Sequence, residues 1–288
     1  MTQFLNYISA ITSAYPDLQI ESAQIQPGGQ YSDSLLVNDE IIFCFPRYTN
    51  IAQEIAILKS LSGHVPLMIP DPIYVHHGTE NKPAFYGYPR IPGEITTTEH
   101  LEASYDSAAC DRLASQIGQF LKALHNHPLE KIGTELSIHD GVIQYTEMYQ
   151  KIKHYLFPRM RPEARERVTR HFEDYLDNIS RFPYTPALRH GDLGLVNVLF
   201  DPKQVTFTAV INFGDTDLGD PAVDFAGLYG FSAQSAIFAQ RMFATYPELE
   251  AMTHRMHFHR KTFALQEALF GAEENDDEAL AAGLEDYI

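Results

Sequence analysis

The sequence is short of cysteine, short of cations and free of long apolar runs, and each shortage excludes something. Two cysteines, Cys44 and Cys110, cannot build a disulfide framework, so a reducing, cytoplasmic setting is expected. Lys and Arg number 21 against 38 Asp and Glu, a formal charge of −17. That balance argues against a nucleic-acid partner, which would require a basic face. It suits a cationic partner, and it also serves solubility. No stretch approaches the roughly 18 apolar residues of a membrane span, so no membrane association is expected. The stretch Met1–Asp17 has no basic start and is not read as a secretory signal. No G-x-x-x-x-G-K-[ST] run is present, which excludes a P-loop. Gly191–Gly194 is too short for a dinucleotide fingerprint and lacks its strand–turn–helix setting. There is no internal repeat.

What is present is an ordinary globular composition: 288 residues, 44% hydrophobic and 20% charged, enough for one large domain or two lobes. Phe4, Leu5, Ile8 and Ile11 fall on one side of a short helix that should end before Pro16. Ser34–Val37 and Ile41–Phe45 read as a hairpin turned by Asn38-Asp39. Ile51, Ile55 and Leu58 line a helix that Gly63 can stop. Ile73–His76 and Ala84–Tyr88 read as two further strands. Beyond a proline- and glycine-rich stretch, Tyr88–Glu94, the pattern turns helical. Leu113, Ile117, Phe120, Leu121 and Leu124 form one wide stripe; Tyr145, Met148, Ile152 and Tyr155 form a second; a third begins at Pro162 and carries Val168, Phe172 and Leu176. Val198–Phe200 and Val205–Ile211 interrupt the helices as strands. The expected fold class is α+β, with a small antiparallel sheet over residues 1–90, a mainly helical part over 91–288, and a hinge at about 87–94.

The chemistry concentrates in His190-Gly-Asp-Leu-Gly-Leu-Val-Asn197 and Ile211-Asn-Phe-Gly-Asp215. A loop between strands can turn Asp192 and Asn197 toward one point. A carboxylate there can take or orient the proton of an attacking hydroxyl, and an amide oxygen can ligate a hard cation. A second polar turn about 20 residues on completes a layout suited to metal-assisted phosphoryl transfer.

The run H-G-D-x-x-x-x-N-V-L-F-D resembles the catalytic loop of kinase-like phosphotransferases, and I-N-F-G-D-x-x-x-G-D-P-x-x-D-F-A resembles their metal-binding segment. Leu36–Pro46, Glu54–Lys59, Ile69–Tyr74, Gly87–Gly93 and Ala264–Gly271 look like the aminoglycoside 2″-phosphotransferase branch. The resemblance implies a two-lobed protein-kinase-like fold and transfer of the γ-phosphoryl of ATP or GTP, with magnesium, to a hydroxyl of a cationic small molecule. It implies a monomer. Asp192 matches the catalytic aspartate and Asn197 a magnesium ligand. Glu54 matches the glutamate that pairs with a phosphate-binding lysine. Gly28, Gly29 and Ser32 fall where a loop covers the phosphates, and Tyr88, Ile91 and Ile211 where the base is held. Glu267 and Asp217 are candidate substrate contacts.

Two positions depart from the pattern. The lysine slot on the third strand holds Cys44, and the metal-binding aspartate slot holds Asn212. Arg47 lies three residues beyond Cys44, but strand alternation puts it on the other face. Asp215 lies near Asn212. Both departures fall on the same nucleotide, which opens the alternatives of a weakly active or inactive binding protein, or of a kinase for another antibiotic or metabolite such as a macrolide. Asp220 and Asp224 read as caps of the helix that begins at Pro221. A zinc site at His254, His257 and His259 lacks a completing ligand.

Overall fold

The structure is a computed structural model that describes residues 2–26, 32–47, 50–136, 138, 140–179, 183–230 and 232–288. Helix α1 (Thr2–Ala14) is followed by strands β1 (Ala23–Gln26), β2 (Ser32–Val37) and β3 (Ile41–Pro46). Helix α2 (Ile51–Leu61) then precedes β4 (Tyr74–His76) and β5 (Phe85–Pro89). The five strands form one antiparallel sheet in the order β1-β2-β3-β5-β4. The expected hairpin is present. Asn38 and Asp39 turn it with φ of 54° and 56°, a left-handed backbone that Asn and Asp tolerate better than most residues.

Strand alternation gives the sheet two different faces. Leu35, Val37, Phe43, Phe45 and Phe85 point outward and bury Tyr7, Ala10 and Ile11 of α1. Ser32, Ser34, Ile42 and Cys44 point inward, toward α2 and the rest of the molecule. Asn50 caps α2 by accepting the Ala52 N–H.

The remainder comprises α3 (Thr98–Ser104), α4 (Ser107–His125), α5 (Gly141–Lys151), α6 (Pro162–Asn178), α7 (Ala222–Tyr229), α8 (Ala233–Arg241), α9 (Glu248–Arg260), α10 (Phe263–Glu274) and α11 (Asp277–Leu284). Between α6 and α7 lie β6 (Ala187–Arg189), β7 (Val198–Asp201), β8 (Thr206–Val210) and β9 (Asp217–Gly219). They form two antiparallel pairs, β6 with β9 and β7 with β8. The second predicted stripe does not stay α-helical. A π-turn over Ile152–Leu156 ends α5 and buries Ile152 and Leu156. The strand expected from Val205 begins one residue later, because Val205 sits in the preceding turn at φ 51°.

The two parts meet at more than a hinge. Four residues, Arg90–Gly93, connect β5 to Glu94, which exchanges two 2.9 Å backbone bonds with Phe200 of β7. Met68, after α2, pairs with β8 through Thr208 and Val210. One apolar core runs from Cys44, Ile55, Leu58 and Tyr86 to Leu113, Phe200, Val210 and Phe225. A separate core joins α5 and α6 to α10. No described helix is long and apolar enough to cross a membrane.

Candidate active site

A cleft of about 560 Å³ opens between the sheet and the helical part. The sequence places Asp192, Asn197 and Asn212 on its lower side, Ser32, Cys44 and Glu54 on its upper side, and Tyr88, Ile91 and Ile211 along the same wall; all nine line it. Gly28 and Gly29 lie outside the described residues.

The lower side is built from two short loops locked together. His190 Nε2 donates to the Ile211 carbonyl at 2.9 Å, and His190 Nδ1 accepts the Asp192 N–H at 3.3 Å. One imidazole thus ties the loop after β6 to the loop after β8. The Ile211 N–H donates to the Asn197 carbonyl at 2.9 Å, a second tie. Asn197 Nδ2 donates to Asp192 Oδ2 at 3.0 Å and to the Asp192 carbonyl at 2.7 Å. This fixes the carboxylate and leaves Asn197 Oδ1 facing Asn212, whose Nδ2 stands 3.4 Å away. Burial raises the Asp192 carboxyl above its ordinary value, against the opposing pull of His190 and the Asn197 amide. A carboxylate raised in this way is a better proton acceptor.

Gly191 has a structural reason. Its φ is 89°, and a Cβ there would stand 2.3 Å from the Asp215 carbonyl oxygen. No side chain other than hydrogen fits between the two loops.

Among the described residues of the upper side there is no lysine. Cys44 is 8% exposed, its sulfur 3.6 Å from Ser34 Oγ, and burial pushes its thiol up to about 11. Glu54 is 5% exposed and accepts one hydrogen bond, from Tyr86 Oη at 2.6 Å. Burial drives its carboxyl up to about 7, the Tyr86 bond opposes this, and Asp215 adds to it. Arg47 does not enter the cleft. Its guanidinium pairs with Asp33 on the outer face, at 2.6 and 3.2 Å, beside Tyr7.

The chain matches the phosphotransferase enzyme family over residues 24–259. It belongs to that family. The phosphotransferase is 28% identical over 272 residues to viomycin phosphotransferase of Streptomyces vinaceus, covering 90% of each chain. Its structure is similar to that of the aminoglycoside phosphotransferase APH(2″)-IIIa solved with GDP and kanamycin. The TM-score is 0.85 at 25% identity, over 98% of this chain and 96% of that one. A macrolide 2′-phosphotransferase of type I shares the fold at a TM-score of 0.74 and 17% identity, over 100% of this chain and 97% of that one. The fold is therefore the kinase-like one expected from the motifs, and the protein is a phosphotransferase.

Two expected substrate contacts lie elsewhere. Asp217 is clamped by Arg189 through Nε at 2.6 Å and Nη2 at 3.2 Å. Glu267 is exposed on α10, outside the cleft. Asp224 is not the cap it was expected to be. It sits inside α7, fully buried, and accepts the His190 N–H at 2.8 Å, the Gly191 N–H at 2.9 Å and His125 Nε2 at 3.1 Å. Burial works against its charge, but His125 and these donors hold its carboxyl below the usual range. Asp224 therefore positions the loop that carries Asp192 and Asn197, a role that sequence spacing left invisible. Asp220 does cap, accepting the Ala222 N–H at 3.0 Å, and it also binds Arg255 and His259.

The Asn197 and Asn212 amide oxygens and the Asp192 carboxylate are oxygen ligands of the kind a hard cation takes. Among the described residues no group of three His, Cys, Asp or Glu side chains could hold a metal ion. An ion here would depend on amide oxygens, one carboxylate and the phosphates of a nucleotide, the usual mixed shell of magnesium.

Proposed function

We propose that this phosphotransferase moves the γ-phosphoryl group of ATP or GTP to a hydroxyl of a cationic, aminoglycoside-like acceptor. The observation that carries the reading is Asp192, a carboxylate held by the buried Asn197 and opening onto a cleft large enough for a nucleotide. The acceptor oxygen attacks the γ-phosphorus while Asp192 takes its proton. The bond from the γ-phosphorus to the bridging oxygen breaks, and the nucleoside diphosphate leaves. Asn197 holds Asp192 in line and offers Oδ1 to a metal, as does Asn212. Asn197 and Asn212 would hold a magnesium ion, which would supply positive charge against the negative charge of the phosphates.

The relatives support the acceptor class, since one phosphorylates viomycin and another is solved with kanamycin. A second feature agrees with it. A groove of about 580 Å³ between α5 and α10 is lined by Asp140, Glu147, Glu273 and Glu274 against a single cation, Lys151, itself 2.8 Å from Glu273. Such a groove favours polyamines over neutral rings. Cys44 and Asn212 favour a slower enzyme than one with lysine and aspartate in those slots, because each removes a charge that would act on the Mg-nucleotide.

The test is a transfer assay with kanamycin, gentamicin, viomycin and a macrolide, each with ATP and with GTP, with and without magnesium. Phosphorylation of a cationic acceptor supports the reading. Phosphorylation of the macrolide alone replaces the acceptor class. No phosphorylation of any acceptor, with nucleotide bound, leaves a nucleotide-binding protein.

A further inference from the structure

The slot where the resemblance puts a metal-binding carboxylate holds the neutral amide of Asn212, and another carboxylate lies three residues on. We propose that Asp215 supplies the anionic ligand, so that the cation accompanying the nucleotide is held by Asn197 and Asp215 with Asn212 as a neutral neighbour. The inference rests on the donor reading given above and refines it.

The first argument is placement. Asp215 belongs to the turn that follows β8, closed by the Thr216 N–H donating to the Phe213 carbonyl at 3.1 Å. Phe213 is fully buried, and Gly214 beside Asp215 lines the cleft. The Asp215 main chain lies against Gly191: a Cβ on that glycine would stand 2.3 Å from the Asp215 carbonyl oxygen and 3.1 Å from its Cβ. Asp215 is therefore anchored one residue from the catalytic Asp192, in a turn that cannot drift away.

The second argument is by comparison of partners. Each of the neighbouring acidic side chains has one. Asp192 is held by Asn197, Asp217 by Arg189, Asp220 by Arg255 and His259, Asp224 by His125 and two backbone N–H groups, and Glu54 by Tyr86. Asp215 alone among these accepts no hydrogen bond and makes no ion pair with the described residues. Arg189, the cation that acts on it, is committed to Asp217 through two nitrogens. A half-buried carboxylate flanked by Asp192 and Asp217, with no protein donor, is a group that an arriving cation stabilises. Both His190 ring nitrogens are engaged, with the Ile211 carbonyl and the Asp192 N–H, so the free ligands beside Asp192 are oxygens, which matches magnesium.

The third argument is backbone tolerance. Asn212 has φ of 68°, a conformation open to Asp as well as to Asn. The backbone therefore does not force the amide at that position, and a carboxylate can be exchanged between 212 and 215 without remaking the turn.

The experiment measures calorimetric affinity for the β,γ-methylene analogues of ATP and GTP with and without magnesium. It uses wild type, Asp215→Asn, and Asp215→Asn combined with Asn212→Asp. Manganese binding to the same nucleotide complexes, followed by electron paramagnetic resonance, gives a readout independent of turnover. The expected result is that Asp215→Asn loses tenfold or more of the magnesium-dependent affinity and keeps its metal-free affinity, and that Asn212→Asp restores the loss. A purely structural Asp215 would lower the unfolding midpoint without ligand, and Asn212→Asp would not restore metal binding; that result overturns the proposal. So does an Asp215→Asn variant with wild-type magnesium dependence. If wild type binds the analogues but ignores magnesium, the donor reading stands and this proposal falls. If it binds neither analogue under any condition, both fall.

Discussion

Glu54 keeps its proton far longer than an exposed glutamate because burial penalises its charge and Asp215 adds to that penalty, while one phenol, Tyr86, opposes it. Its folded value of about 7 stands above the ordinary 4.5. The stabilisation from this group is therefore complete below about 4.5 and is lost as pH rises through about 7. Across that window the loss is on the order of 3 kcal/mol. Glu54→Gln keeps an oxygen for Tyr86 and cannot ionise. Thermal unfolding at pH 5 and at pH 8.5 should show the variant gaining on wild type only at the higher pH; an equal difference at both would show that Glu54 does not titrate. Asp192 gives the second prediction at this scale. On the proposed role of Asp192 as proton acceptor for the attacking hydroxyl, Asp192→Ala should lower turnover by about a hundredfold or more, with nucleotide affinity little changed. Initial rates beside nucleotide titration check it. That Glu54, Asp192, Asn197 and Asn212 face one cleft was legible in the sequence, because motif spacing places them there. Tyr86 was not: its bond to Glu54 depends on β5 lying beside β3, a pairing that becomes visible only when the sheet is assembled.

Among the elements, α7 does more than fill space. It approaches the His190–Asn197 loop so closely that a Cβ on Gly227 would stand 2.2 Å from the Leu193 carbonyl oxygen, a backbone atom that cannot swing aside. The same helix sends Asp224 to the His190 and Gly191 N–H groups. Glycine at 227 thus sets the depth at which α7 sits, and Asp224 sets the register. Gly227→Ala should force the helix or the loop to move, at about 1–3 kcal/mol of stability. It should also lower turnover, because Leu193 directly follows Asp192. Gly133→Ala is the control: its Cβ would meet nothing, although its φ of 71° brings some backbone strain. Denaturant unfolding and initial rates on both variants separate the effects; a Gly227→Ala protein with altered stability and intact turnover would mean that the loop is held by Asp224 alone. The strands and long helices could be read from period 2 and period 3.6 patterns. The α7 contact could not, because Asp224 and Gly227 lie more than 30 residues from the loop they hold. Asp224 read as a cap because an acidic residue in the first turn of a helix has that local explanation ready.

On the scale of the whole molecule, charge is the property that acts at a distance. The chain carries −17, and the groove between α5 and α10 concentrates four carboxylates around one lysine. Such a field draws a polycation in and holds a nucleotide triphosphate off. Salt weakens both effects, since the screening length falls from about 30 Å at 0.01 M to about 8 Å at 0.15 M. The two substrates should therefore respond with opposite signs. For a cationic acceptor, kcat/KM should fall roughly tenfold between those two ionic strengths, the lower end of the range that electrostatic steering covers. For the nucleotide at saturating acceptor, KM should stay level or improve as salt screens the like charge. A neutral acceptor of similar size should change less than about twofold. Steady-state kinetics at fixed pH and free magnesium decides between the acceptor classes on this ground. A cationic acceptor whose kcat/KM ignores salt would mean that the acidic groove does not guide it, and that the surface charge serves solubility alone.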